Sequence, residues 1–272
     1  MIAALMEYSF LQNAFIACIL TSITCGIIGT VIMEKKLVMM SGGIAHTSFG
    51  GIGLGYLLGI EPILMALMFS TSASLAISVI NRKAKTNTDL LTGIFWSTGM
   101  ALGVVFISLT KGYPPDMSSY LFGDILTVSR QDLVIMFLLD LIIIFFTAAF
   151  FNVLKAYMFD AEFAAVIKIP VKFLEYMIYI LIAFTVVVLI RVTGIIMVIA
   201  LLTAPPATAK LLSADLKNIM VISVLSALLV CLLGLWSSYL LNIPSGSCVV
   251  LFACALYFST ALIKRLQQAL TK

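Results

Sequence analysis

The single histidine of the chain, His46, lies inside a long apolar segment and is the first residue with metal-binding chemistry. An imidazole at membrane depth is costly, so it usually faces a pathway, a partner or the interior of a helix bundle. Imidazole is also a good ligand for zinc, manganese or iron. His46 is therefore the first candidate metal ligand. The alternative is a histidine that packs between helices and bonds a neighbouring backbone carbonyl.

Asp140 is the second ionisable residue in an apolar segment, where a carboxylate facing lipid must be protonated or paired. At about 1.5 Å per helical residue, it lies about 12 Å from the outer end of its span, and His46 lies about 13 Å from the inner end of its own. We expect both to line one polar path as transient metal ligands. The alternative for Asp140 is a hydrogen bond to a hydroxyl group on a neighbouring span. The third span offers the most hydroxyl groups, on Ser70, Thr71, Ser72, Ser74 and Ser78.

The composition indicates the kind of protein that must position these two side chains. Of 272 residues, 62% are hydrophobic and 10% are charged, whereas soluble domains carry about 25% charged residues. We therefore expect an all-α polytopic membrane protein with a single transmembrane domain over residues 1–272. The net charge of +4 is explained by positive cytoplasmic loops, so no nucleic-acid partner is expected. The five cysteines form no C-x-x-C pair and are interpreted as small buried hydrophobic residues.

Apolar stretches of about 20 residues predict about nine transmembrane helices, or eight if one weak pair is a single element. An amino terminus outside and a carboxyl terminus in the cytoplasm would leave thirteen basic residues inside and three outside, which agrees with the positive-inside rule. The weak pair is the sixth and seventh span, joined only at residues 191–194. The predicted spans are 9–33, 37–59, 62–81, 89–110, 132–154, 173–191, 194–212, 218–241 and 246–264.

Two longer polar connections are predicted: an outer loop at about 111–131 and a cytoplasmic loop at about 155–172. In the inner loop, Asp160 and Glu162 precede an alanine-rich turn, which suits a short helix with acids at its amino end. The apolar residues of that helix could dock on a cytoplasmic partner. The alternative is an interfacial helix that rests on the bilayer surface.

Glycine spacing predicts close helix packing within the membrane. The second span carries Gly51, Gly55 and Gly59 at four-residue intervals, and the fourth span carries Gly99 and Gly103. Glycine at this spacing clears one helix face, so another backbone can approach closely.

Two consecutive prolines, Pro205 and Pro206, are expected to break the seventh span near its inner end. A hinge or gate is one interpretation of this break, and a simple kink is the other. No G-x-x-x-x-G-K-[ST] motif and no paired catalytic constellation occur in the sequence. We therefore expect no enzymatic activity and no ATP hydrolysis by this chain itself.

Taken together, five stretches resemble the membrane permeases of zinc, manganese and iron ABC importers, the ABC-3 family. Each stretch alone is a weak signal, but their order and spacing match over nearly the whole chain. They cover residues 42–55, 120–129, 159–166, 192–210 and 241–246.

The resemblance implies a homodimeric permease of a prokaryotic plasma membrane whose path lies at the dimer interface. A cytoplasmic ATPase subunit would bind ATP, and an extracytoplasmic metal-binding protein would deliver the ion. No cofactor would be bound permanently, because the divalent metal is the cargo. His46 matches the histidine that these permeases carry in their second span. The implied coupling helix for the ATPase comprises Phe159, Asp160, Ala161, Glu162, Phe163, Ala164, Ala165, Val166 and Ile167.

Two departures from the family pattern affect these expectations. Many relatives have Asp-x-x-Ser-His before the second-span histidine, where this chain has Gly42 or Gly43 and Ala45, so one hard oxygen ligand is missing. The coupling segment usually ends with glycine, where this chain has Lys168 and Ile169. A permease for vitamin B12 or iron chelates is the first alternative function, and a stand-alone ion-coupled metal carrier is the second.

Overall fold

In the computed structural model, which describes residues 8–84, 87–110 and 123–270, every helix longer than one turn is an α-helix and no strand occurs. Residues 111–122 of the predicted outer loop lie outside the described residues. One short 3₁₀ helix covers Ile125–Thr127. The α-helices are α1 Ser9–Glu34, α2 Val38–Leu58, α3 Pro62–Ala84, α4 Thr88–Leu109, α5 Arg130–Ala149, α6 Phe151–Phe159, α7 Ala161–Val166, α8 Val171–Leu212, α9 Leu216–Leu241 and α10 Ser245–Leu270.

Within the described residues, seven helices are long and apolar enough to cross a membrane, namely α1, α3, α4, α5, α8, α9 and α10. The protein is therefore an all-helical polytopic membrane protein, as its composition predicts. Helix α2 is not among the seven, because glycine, serine and His46 reduce its hydropathy. Helix α8 counts once although it has 42 residues. The count of nine spans stays a prediction.

The sixth and seventh predicted spans are joined in α8, which is interrupted only at Gly194. Gly194 has φ 75° and ψ 162°, a region of backbone conformation that is essentially restricted to glycine. The link between these spans is therefore a single non-helical residue within α8.

The described residues form two compact units, each assembled from separated parts of the chain. The first unit contains residues 8–33, 123–144 and 192–270, and the second contains residues 34–84, 87–110 and 145–191. His46 belongs to the second unit and Asp140 to the first.

In the second unit, α2 packs against both α3 and α4 through glycine faces. A Cβ atom built on Gly99 of α4 would lie 2.6 Å from the Thr47 Cα atom, and one on Gly103 would lie 2.7 Å from the Phe49 carbonyl oxygen. Real Cβ atoms essentially never come this close to another backbone atom. Glycine at these positions therefore permits the two helix backbones to touch.

On α2, Gly50 and Gly53 also face α4, whereas the glycines at four-residue spacing face α3 or end the helix. A Cβ atom on Gly51 would lie 2.5 Å from the Met65 carbonyl oxygen, and one on Gly55 would lie 2.6 Å from the Pro62 Cα atom, both at the start of α3. Gly59 caps α2 with φ 68°, and its N–H bonds carbonyls of the last turn. A Cβ atom added to it would meet no described residue within 4 Å, so its role in packing stays a prediction.

In the first unit, the predicted break at Pro205 and Pro206 is wrong, because α8 continues through both prolines to Leu212. Proline removes the N–H that would bond the carbonyl four residues earlier. A Cβ atom on Gly29 of α1 would lie 2.7 Å from the Leu202 carbonyl oxygen and 2.8 Å from the Pro206 ring. Close packing against α1 therefore encloses the proline pair within a continuous helix.

A second close contact in the first unit joins three distant parts of the chain. A Cβ atom on Gly123, which has φ 58°, would lie 2.2 Å from the Thr193 carbonyl carbon, directly before the break in α8. The neighbouring Asp124 caps the 3₁₀ helix and accepts a 2.8 Å hydrogen bond from the Ser245 hydroxyl at the start of α10. We call this contact the Gly123–Gly194 junction. It lies in three of the stretches that resemble the permease family.

The glycine contact between α2 and α4 can be tested with a matched pair of substitutions. We expect Gly99→Ala to reduce stability by about 1–3 kcal/mol, because the new methyl group overpacks the contact with Thr47. The new methyl group of Gly93→Ala on the same helix would meet no described residue within 4 Å, so we expect stability to stay unchanged or to rise by up to about 1 kcal/mol. Thermal unfolding of the purified protein in detergent measures both. Equal midpoints for the two variants would contradict the packing argument.

Candidate metal-binding and coupling sites

The His46 side chain stacks on an aromatic partner that the sequence analysis did not identify. Its imidazole lies parallel to the Trp96 indole of α4, with 4.2 Å between ring centroids and 7° between ring planes. His46 is half-buried, and its Nδ1 atom has no hydrogen-bond partner among the described residues. The stack on Trp96 is packing between helices, whereas no bond from Nδ1 to a backbone carbonyl is found among the described residues, so the metal-ligand role of His46 stays a prediction. A ring held flat with a free nitrogen can accept a cation.

The glycine contact between α2 and α4 explains why the two rings meet. Thr47 follows His46, and Gly99 lies one helical turn after Trp96, so the touching backbones hold the rings at stacking distance. No sequence signal identifies Trp96, because one aromatic residue in an apolar helix is ordinary. An apolar cavity of about 300 Å³ lies beside this contact. It is lined by Thr47, Phe69, Ser72, Ala73, Ala76, Phe95, Thr98, Gly99 and Leu102, and therefore by no ionisable group.

Asp140 in α5 is buried, with 2% of its surface exposed, and the hydroxyl group of Thr24 in α1 donates a hydrogen bond to its Oδ1 atom. A hydroxyl on a neighbouring span is the alternative partner predicted for Asp140, but the prediction favoured α3. On α3, Ser78 donates to Glu175 instead. The second carboxyl oxygen, Oδ2, is buried without a hydrogen-bond partner in the described residues. Asp140 thus combines a structural hydrogen bond with one free acceptor.

Among the described residues, no group of three or more His, Cys, Asp or Glu side chains is arranged to hold a metal ion. His46 and Asp140 lie in different units, and each has one buried polar atom without a hydrogen-bond partner among the described residues.

The predicted coupling segment forms the short helix α7, as its acids suggest. Asp160 caps the helix, and its Oδ1 atom accepts hydrogen bonds of 2.9 Å from the backbone N–H groups of Glu162 and Phe163. The buried Ala164 faces the protein. Large apolar side chains face outward, with exposed fractions of 64% for Phe159, 56% for Phe163, 79% for Val166 and 49% for Ile167.

We call these four exposed side chains the coupling surface. Contiguous exposed apolar residues of this kind mark an interaction site or a membrane contact. The geometry is compatible with both interpretations of the sequence.

The chain matches the ABC 3 transport family over residues 7–264. It belongs to this family. It is 40% identical over 260 residues to an uncharacterized membrane protein of Synechocystis, with 96% of this chain and 92% of that protein covered. It is 33% identical over 254 residues to the manganese transport system membrane protein MntC of Listeria monocytogenes, with 93% and 90% covered.

The fold is also similar to that of a solved structure, PsaBC from Streptococcus pneumoniae in complex with Fab. The TM-score is 0.85 at 30% sequence identity, and the likeness covers 95% of this chain and 93% of that one. Family membership and the seven apolar helices identify a multi-pass protein of the prokaryotic plasma membrane.

The hydrogen bond between Thr24 and Asp140 yields a stability test. We expect Thr24→Val to destabilise the protein by about 1–3 kcal/mol, because a buried carboxyl group loses its donor. Thr30→Val is the matched control in the same helix, since the equally buried Thr30 hydroxyl bonds only the Gly26 carbonyl one turn earlier. The midpoint of thermal unfolding is the measurement. An equal loss in both variants would show that the bond to Asp140 adds nothing.

Proposed function

We propose that this chain is the membrane permease subunit of an ATP-binding-cassette importer for divalent transition metal ions, with manganese as the first candidate over zinc and iron. The observation that carries the proposal is the likeness, along nearly the whole chain, to permeases named for manganese transport. The chain itself is not an enzyme in this proposal, because a separate ATPase subunit binds and hydrolyses ATP. The ion is cargo, and no cofactor is bound permanently.

The proposed topology has nine spans in one permease domain, with the amino terminus outside and the carboxyl terminus in the cytoplasm. The seven apolar helices become nine when α2 is included and the 42-residue α8 is divided at Gly194. A 21-residue helix such as α2 is about 31 Å long, which is enough to cross the hydrocarbon core. The bias of basic residues supports this orientation.

In the proposed assembly, two permease copies form the path, each cytoplasmic face meets an ATPase subunit, and an extracytoplasmic metal-binding protein delivers the ion. The coupling surface on α7 is the docking site for the ATPase. Its four exposed apolar side chains supply the area that such an interface buries, and Asp160 keeps the helix formed before docking.

We propose His46 as a transient ligand of the ion, with Asp140 as a second acidic group on the path. The buried, unpartnered Nδ1 of His46 supports this role, as does the free Oδ2 of Asp140. The proline pair at 205–206 is the proposed gate region. The two missing N–H groups support a role in helix movement, because they weaken the local hydrogen-bond ladder of α8.

The ligand role of His46 predicts that His46→Ala lowers metal uptake about tenfold or more while the complex still assembles. Even partners of a metal ligand are worth about tenfold in affinity, so loss of the ligand itself has at least this effect. Uptake of manganese, zinc and ferrous ions into proteoliposomes containing the permease and its ATPase is the measurement. Cobalamin and a ferric chelate are included to test the alternative cargo.

Thr47→Val is the control for this experiment, because it changes the next residue while its hydroxyl bonds only the Gly43 carbonyl in the same helix. Normal uptake by His46→Ala would eliminate the ligand role. Uptake of cobalamin or the chelate in place of free ions would eliminate the metal-ion cargo.

The docking role of the coupling surface predicts that Glu162→Arg uncouples ATP hydrolysis from transport. Glu162 is exposed in the first turn of α7, beside Phe163, so the reversal changes the charge of the docking surface. The measurement is the number of metal ions moved per ATP hydrolysed. Asp89→Arg is the matched control, since Asp89 is also an exposed acid in the first turn of a helix. Unchanged coupling in Glu162→Arg would remove this loop from the ATPase interface.

A further inference from the structure

A cluster of charged, hydroxyl and aromatic side chains in the second unit lies on both sides of the coupling helix in sequence. We call it the basal cluster, and none of its residues has a role in the proposed function. Its members are Lys35, Ser78, Arg82, Tyr157 and Glu175.

On the amino-terminal side of α7, Lys35 contacts Tyr157 in the last turn of α6. The Lys35 Nζ atom donates a 3.2 Å hydrogen bond to the Tyr157 carbonyl oxygen and lies 3.8 Å from the centroid of the Tyr157 ring. Tyr157 is three residues before Asp160, the cap of α7, and Lys35 is three residues before Val38, the first residue of α2. One cation therefore links the approach to the coupling helix with the helix that carries His46.

On the carboxyl-terminal side of α7, Glu175 connects the start of α8 to α3. Its two carboxylate oxygens accept a 3.0 Å bond from Arg82 Nη1 and a 3.2 Å bond from the Ser78 hydroxyl, both on α3. The Glu175 side chain is only 15% exposed, so water screens this ion pair weakly. Breaking a pair of this kind leaves a poorly solvated charge and is costly.

The two flanks also interact electrostatically with each other. Burial lowers the pKa of Lys35, and the negative charge of Glu175 opposes that lowering. Burial raises the pKa of Tyr157, and the Glu175 charge raises it further. Both effects agree with the hydrogen-bond geometry in assigning Glu175 to the centre of the cluster.

Between the flanks, the chain is not helical at either end of α7. Asp160 is extended, with φ −150° and ψ 102°, and Lys168 has φ 63°. Such residues absorb rotation when a helix moves. Rotation at Asp160 and Lys168 would therefore absorb a displacement of α7, unless the segments beyond these two residues are fixed to other helices.

We propose that Glu175 and Lys35 are positioning residues that transmit displacement of the coupling helix α7 to α2 and α3. The inference rests on the proposed function, since it assigns the mechanical link between the ATPase interface and the helix that carries His46. Displacement of Tyr157 reaches the turn before α2 through Lys35, and displacement of the start of α8 reaches α3 through the bonds of Glu175 to Arg82 and Ser78. Neither residue touches the cargo.

The experiment compares Glu175→Gln with wild type in proteoliposomes that contain the assembled complex. Glutamine keeps the size of the side chain and an acceptor for Ser78 but removes the charge that pairs with Arg82. We expect metal ions moved per ATP to fall about fivefold or more, since coupling between sites is typically worth 5-fold to 150-fold. The ATP hydrolysis rate and the affinity for metal at His46 are expected to stay unchanged. Lys35→Met, which removes the bond to Tyr157, is expected to act in the same direction.

Glu61→Gln is the control, because it removes a carboxylate of the same unit that pairs with Arg191 at 3.5 Å and is 64% exposed. The double variant Arg82→Glu with Glu175→Arg exchanges the two charges and keeps an ion pair between α3 and α8. It is expected to recover part of the coupling ratio, and it replaces Glu175→Gln as the test variant if that variant fails to assemble.

Three outcomes separate the possibilities. A lower coupling ratio with recovery in the exchanged pair supports the inference. A parallel fall in hydrolysis and uptake, with the ratio unchanged, shows a merely structural role and overturns it. If the wild-type complex moves no metal at all, the proposed function itself fails, whatever the variants do.

Discussion

The backbone contact between α2 and α4 is the constraint on which the candidate metal site depends. A helix that carries histidine, serine and threonine in an apolar environment must bury those groups against protein rather than lipid. Glycine on both helices permits the burial, because the Cα atoms of one helix reach the backbone of the other. Van der Waals contact over such a face is a main source of helix association in membranes, where lipid removes most of the hydrophobic driving force. The position of the His46 ring follows from this contact.

The elements that the sequence predicts well are those with a local cause. Apolar runs predict the long helices, Asp160 with Glu162 predicts α7, and the four-residue glycine spacing predicts the close faces of α2 and α4. The failure at the proline pair has a tertiary cause. Proline at 205–206 resembles a helix end, but tertiary packing against α1 maintains the helix through both residues.

Partners across helices could not be predicted, because they depend on how helices distant in sequence pack. Thr24 and Asp140 are 116 residues apart, and Ser78 and Glu175 are 97 apart, with nothing in their local sequence to indicate a pair. Trp96 and His46 likewise meet only through the packing of α2 with α4. A single sequence indicates that a buried polar group needs a partner, but the partner is known only once the packing of the helices is known.

The Gly123–Gly194 junction has a consequence for biogenesis. Its parts are synthesised far apart in time: the 3₁₀ helix first, the break in α8 about 70 residues later, and Ser245 at the start of the last helix. The hydrogen bond from Ser245 to Asp124 can therefore form only after the start of α10 has been synthesised. A chain interrupted before α10 can still bring Gly123 to the break in α8, but it leaves the Asp124 carboxylate without the hydroxyl group of Ser245.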